Sequence, residues 1–229
     1  MTDDRDVDAN RLASESLAED DPTGWFERLY AEAAAGGATV PWDRDEPNAL
    51  LVEWAERQAL DVTGERALVV GSGLGRDAEY VAGLGFRTTA FDISPTAVRG
   101  ARERFPDSEV DYVVADLLDP PAEWAGAFDL VVESITVQSM PLSVRAEVIV
   151  NVARTVAPGG RLVVISGIRE EGEQVDGPPW PLTRSELDSF AVHGLRAARV
   201  EQVPHPGDPG ALRWRAEFRR PRPEGGRSA

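Results

Sequence analysis

Two hydrophobic periods alternate along this chain. Short apolar runs bounded by turn residues, at 67–70, 88–91, 110–115, 128–132 and 161–166, predict buried strands. Between them, 76–84, 96–105 and 143–157 carry the spacing of amphipathic helices, the last halted by Pro158-Gly159-Gly160. Strand and helix in strict alternation predict βαβ units. The expected fold is therefore α/β and Rossmann-like: a doubly wound, mostly parallel seven-stranded sheet. The last third changes character. Residues 183–190 read as a helix capped by Thr183, with Glu186 at the capping-box position. Residues 195–203 and 212–218 then alternate like a terminal antiparallel pair. Ahead of the first strand, 25–35 and 49–58 read as two helices covering one edge of the site.

The 229 residues suit one such domain, placed at 22–220. Residues 1–21, rich in Asp, Glu, Ser and Ala, read as a disordered or weakly helical tail, and 221–229 as a frayed one. Charge narrows the partners. With 40 acidic against 24 basic residues the net charge is −16, a surface that repels phosphate backbones and anionic lipid heads. Nucleic acid and membrane are not expected partners, and the acidic, polar start is unlike a signal sequence. A cytoplasmic protein is the default expectation. Every basic side chain is Arg, which excludes lysine Schiff bases and a P-loop lysine. Cys is absent, which excludes thiolate chemistry, and with His193 and His205 the only histidines a multi-histidine metal centre is not expected. The pattern says nothing of oligomeric state.

The chemistry concentrates at strand ends. The first strand runs into Gly71-Ser72-Gly73-Leu74-Gly75 and then a helix, a turn that lets backbone approach a ligand closely. A dinucleotide motif, Gly-x-Gly-x-x-Gly, would require glycine where Arg76 stands. The tighter spacing suits a ligand without a pyrophosphate. Asp92 ends the second strand, where a carboxylate can accept from two ribose hydroxyls or cap the next helix. Ser94, followed by Pro95, is the better cap. Asp116 and Leu117 follow the third strand, where an adenine edge and face would lie, although a lone strand-end Asp is also an ordinary turn former.

Together, 70–77, 91–94, 115–117, 128–133 and 156–162 resemble the class I S-adenosylmethionine-dependent methyltransferases, with the resemblance running from about Trp25 to Phe218. Three segments are more narrowly similar to the thiopurine methyltransferase group, which also includes halide, thiol and tellurite enzymes. They are 37–51, around Trp42; 140–145; and 177–187, with Gly177-Pro178-Pro179-Trp180. Where that group commonly has Asp after the fourth strand, this chain has Glu133-Ser134. The resemblance implies that Gly71, Gly73 and Gly75, with Ser72, cradle the methionine part of S-adenosylmethionine. It implies that Asp77 holds the turn, Asp92 and Ile93 meet the ribose, and Asp116 and Leu117 meet the adenine. Glu133 would lie near the cofactor amino group, and Trp42 beside the sulfonium.

The implied activity is methyl transfer to a small-molecule acceptor. Neither histidine accompanies the strand-end motifs; both read as surface or structural, and no general base is assigned. That favours a soft nucleophile such as a thiol. The alternatives are an oxygen- or nitrogen-directed enzyme of natural-product chemistry, or an inactive cofactor-binding module. Trp42 and Trp180, beside prolines in loops, are expected to form acceptor-binding lid walls. Arg145 is expected in a structural ion pair.

Overall fold

The computed structural model describes residues 6–222, apart from 59, 61 and 63. Seven strands form one sheet in the order β3-β2-β1-β4-β5-β7-β6. They are β1 (Arg66–Val70), β2 (Arg87–Asp92), β3 (Asp111–Val114), β4 (Phe128–Ser134), β5 (Val156–Gly167), β6 (Arg196–His205) and β7 (Asp208–Arg219). The first five are parallel; β7 runs antiparallel to both β5 and β6. The helices are α1 (Val7–Ala18), α2 (Gly24–Ala34), α3 (Ala49–Glu56), α4 (Arg76–Gly83), α5 (Pro95–Arg104), α6 (Leu142–Thr155) and α7 (Arg184–Asp188).

Continuous apolar strands are what a sheet covered on both faces requires. Alternation splits them between two cores. Leu68, Val70, Val131, Leu162 and Val164 join one, with Leu29 of α2 and Val148 and Val152 of α6. Ala67, Val69, Leu130, Val132 and Val163 join the other, with Leu51 and Trp54 of α3, Val81 of α4 and Val98 of α5. The capping box at Thr183 and Glu186 forms as the sequence predicts.

Two differences have physical causes. The segment expected as a tail contains α1. Its Ala9, Leu12, Ala13 and Ser16, spaced on one helical face, are buried, while Arg11 pairs with Glu32 of α2 at 2.6 Å and Arg28 of α2 with Glu15. Acidic composition masked that narrow stripe. Helix α6 ends at Thr155, not 157. Val156 already pairs with Phe128, so Pro158-Gly159-Gly160 interrupts β5 as an irregularity in register instead of preceding it. The expected frayed tail lies, beyond Arg222, outside the described residues. No helix among the described residues is long and apolar enough to cross a membrane.

Strand order reverses between β1 and β4, which opens a crevice at their carboxyl ends. The glycine turn after β1 and Ser134-Ile135-Thr136 after β4 border it.

Candidate active site

The turn is built by close packing. Gly71, Gly73 and Gly75 have φ of +58°, +52° and +93°. A Cβ on Gly73 would stand 2.7 Å from the Tyr30 hydroxyl, and one on Gly75 would stand 2.3 Å from the Tyr112 hydroxyl. Positive φ and missing space strongly disfavour any other residue at those two positions. The Ser72 N–H donates to the Phe91 carbonyl at 2.8 Å, which locks the turn to the end of β2. Arg76 does not crowd the turn. Its guanidinium lies over the Phe105 ring, 5.1 Å from the centroid, and its Nε donates to the Arg44 carbonyl. Asp77 accepts the Asn48 N–H at 2.7 Å, and burial holds its carboxyl above the usual range. Asn48 also caps α3 by accepting from Leu50, and its Nδ2 donates to Ser134 Oγ at 3.0 Å. One asparagine thus ties three segments of the site together.

Asp92 is buried. Its Oδ2 accepts the Gly73 N–H and its Oδ1 the Ser94 N–H, each at 2.9 Å. Burial pushes its pKa up to about 6 against those hydrogen bonds. The carboxylate keeps acceptor capacity for a further donor. Ser94 caps α5 through Ala97, as the sequence predicts, and its hydroxyl donates to Glu27 at 2.5 Å. Asp116 Oδ1 accepts from the Leu118 N–H at 2.8 Å; its other oxygen has no protein donor among the described residues.

Two cavities, of about 580 and 610 Å³, flank the turn and share Tyr30, Trp42, Gly71, Ser134 and Ile135. Asp92, Ile93, Asp116 and Leu117 line the first; Ser72, Gly73, Gly75 and Asp77 line the second. Trp42 stands between them. Its Nε1 donates to the Tyr30 hydroxyl at 2.7 Å, and its ring meets Trp25 edge-on, 6.0 Å between centroids. Ile135 has φ +59°, a strained conformation for a β-branched residue, with its N–H held by the Ile165 carbonyl at 2.8 Å.

Two expected residues lie elsewhere. Glu133 lines neither cavity. It is fully buried; Oε1 accepts from the Val137 N–H at 2.8 Å, Oε2 has no hydrogen-bond partner among the described residues, and burial raises its pKa to about 7. The β-strand alternation that presents Ser134 to the crevice turns Glu133 under the following turn. Trp180 is buried and also lines neither cavity; its carbonyl accepts from Arg145 at 2.7 Å. Arg145 in turn pairs with Glu186 at 3.0 Å. The neighbours Pro178 and Pro179 line an adjoining cavity instead. The sequence reading missed Tyr30, Asn48, Ile135, Thr136, Ser139 and Met140. Only Asn48, directly ahead of a helix, carried a local signal.

Residues 68–164 match the family described as the methyltransferase domain. The ubiquinone biosynthesis O-methyltransferase of Xanthomonas oryzae pv. oryzae is 33% identical over 149 residues, 61% of each chain. This chain therefore spans about three fifths of the length of that curated relative. Among solved structures, the [4+2]-cyclase SpnF superposes with a TM-score of 0.65 at 23% identity, covering 87% of this chain and 96% of that one. The N-methyltransferase NodS of Bradyrhizobium japonicum, in complex with S-adenosyl-L-homocysteine, gives 0.63 at 22%, covering 85% and 99%. At those identities the structures speak for the fold alone. The narrower thiopurine-group likeness has no support among these matches. The methyltransferase-domain match, over residues 68–164, falls on the same strand ends that build the crevice.

Proposed function

We propose that the paired crevice binds S-adenosylmethionine and that the chain transfers its methyl group to a small-molecule acceptor. The observation that carries this reading is Asp92. A buried carboxylate at the switch point, anchored by two backbone N–H groups, keeps acceptor capacity for vicinal hydroxyls. The other groups fit the same ligand. Asp116 offers an oxygen to an exocyclic amine, and Leu117 offers a flat apolar contact. Ser72 Oγ, buried on the glycine turn, has no partner among the described residues.

S-adenosylmethionine supplies an electrophilic methyl on a sulfonium and departs as a neutral thioether, so no acid is required. The protein's part is orientation and exclusion of water. Trp42, fixed by Tyr30, sets an aromatic wall where the two cavities meet, and such a wall favours a cation. Oxygen is the acceptor that the sequence relative supports, since it is an O-methyltransferase by name. The thiol preference expected from sequence has no such support.

Calorimetry with S-adenosylmethionine and with NAD tests the cofactor: only the first should bind. Tighter binding of NAD would overturn the proposal. A screen of phenols, amines, thiols, iodide and tellurite for release of S-adenosylhomocysteine then identifies the accepting atom.

A further inference from the structure

We propose that Arg44, His205 and Arg213 form an anion-recognising end of the acceptor site, so that the methyl acceptor is a small molecule carrying a carboxylate. This inference rests on the reading of the crevice as a methyltransferase site. Beyond Trp42 lies a further cavity, of about 870 Å³. It shares Trp42, Ile135 and Ser139 with the first crevice cavity, so the two adjoin at those three side chains. Arg44, His205 and Arg213 line it, from three separate segments: the loop between α2 and α3, the end of β6, and β7.

Arg44 is exposed and Arg213 half-buried. Arg145 and Arg215, the buried arginines, each pair with a carboxylate. Neither Arg44 nor Arg213 forms an ion pair with any described residue, in a chain with a large excess of acids. They act on each other and on the histidine. Burial, then Arg44, lowers the Arg213 pKa, opposed by Asp208. Burial, Arg213 and Arg44, in that order, lower that of His205, again against Asp208. Asp6 is the acid that lines the same cavity.

Burial and the two neighbouring guanidiniums disfavour the charged form of His205, whose Nδ1 accepts the Gly207 N–H at 3.1 Å, and the two guanidiniums carry the positive charge. Two unpaired cations facing one cavity repel each other until an anion binds between them. A guanidinium fork matches a carboxylate edge to edge. Local positive charge at the cavity end also offsets the negative field of the whole surface for an incoming acid.

The test is calorimetry of 3,4-dihydroxybenzoate and its methyl ester on the full chain, with and without S-adenosylhomocysteine. The acid should bind roughly 10- to 100-fold more tightly than the ester. Arg213→Gln should abolish that preference, Arg213→Lys should retain part of it, and the affinity for S-adenosylhomocysteine should stay unchanged in both. An equal response to acid and ester, whether both bind or neither does, overturns the proposal, as does a preference that survives Arg213→Gln. Failure of S-adenosylhomocysteine to bind would overturn the cofactor reading separately, because the acid preference is read without it as well.

Discussion

The Asp92 carboxylate accepts the Gly73 N–H at 2.9 Å, so the residue that ends β2 also fixes the glycine turn that follows β1. The same carboxylate therefore shapes the cradle and faces the cavity.

Its titration should control affinity. Burial holds Asp92 at about 6 in the free protein. Hydroxyl donors favour the ionised form and lower that value on binding, so affinity should be lost as pH falls through about 6. Calorimetry with S-adenosylhomocysteine from pH 8 to pH 5 reads this directly. Asp92→Asn should flatten the profile, and Asp92→Ala should weaken binding by about 1–3 kcal/mol. A flat profile in the unmodified protein would remove Asp92 from the ligand contacts.

Gly73→Ala should lower stability by about 1–2 kcal/mol from its left-handed backbone alone, with the Tyr30 clash added. Tyr30→Phe in that background removes the clashing hydroxyl and should recover part of the loss in a thermal melt. No recovery would show that backbone strain is the whole cost.

Glu133 separates a structural carboxylate from a ligand contact. Its folded value, about 7, lies above the ordinary 4.5. Its contribution to stability is thus fully present below about pH 4.5 and is lost as pH rises through 7. Glu133→Gln should therefore flatten the fall in stability across that window, an effect of a few kcal/mol. Because Glu133 lines neither cavity, affinity for S-adenosylhomocysteine should stay the same; a large loss would return it to the cofactor site.

Arg145 joins Glu186 to the carbonyls of Met140 and Trp180, at 3.0, 3.0 and 2.7 Å. Arg145→Ala leaves buried acceptors unpaired and should cost about 3–5 kcal/mol in denaturant unfolding. Met140 lines the first cavity, so ligand affinity should fall with it. A change under about 1 kcal/mol would show that the network is solvated.

Local pattern was enough for much of this protein. Five apolar runs, a three-glycine turn and an acid after each of two strands require only neighbours along the chain, and they determined the parallel sheet and the position of its crevice. Tertiary structure decided what depends on contacts between distant segments. Tyr30 meets Trp42 and the glycine turn only once α2 packs over the sheet. Whether Glu133 or Ser134 faces the crevice depends on strand register, which one residue reverses. Trp180 is buried away from both crevice cavities, its carbonyl held by the Arg145 that pairs with Glu186, an arrangement between segments far apart in the chain. Arg44, His205 and Arg213 share a cavity although the chain separates them widely, and an unpaired charge is recognisable only where its missing partners can be seen. The strand ends of the crevice were legible in the sequence because each is local; the residues that close it from α2 and the loops, and the adjoining cavity lined from separate segments, existed only after folding.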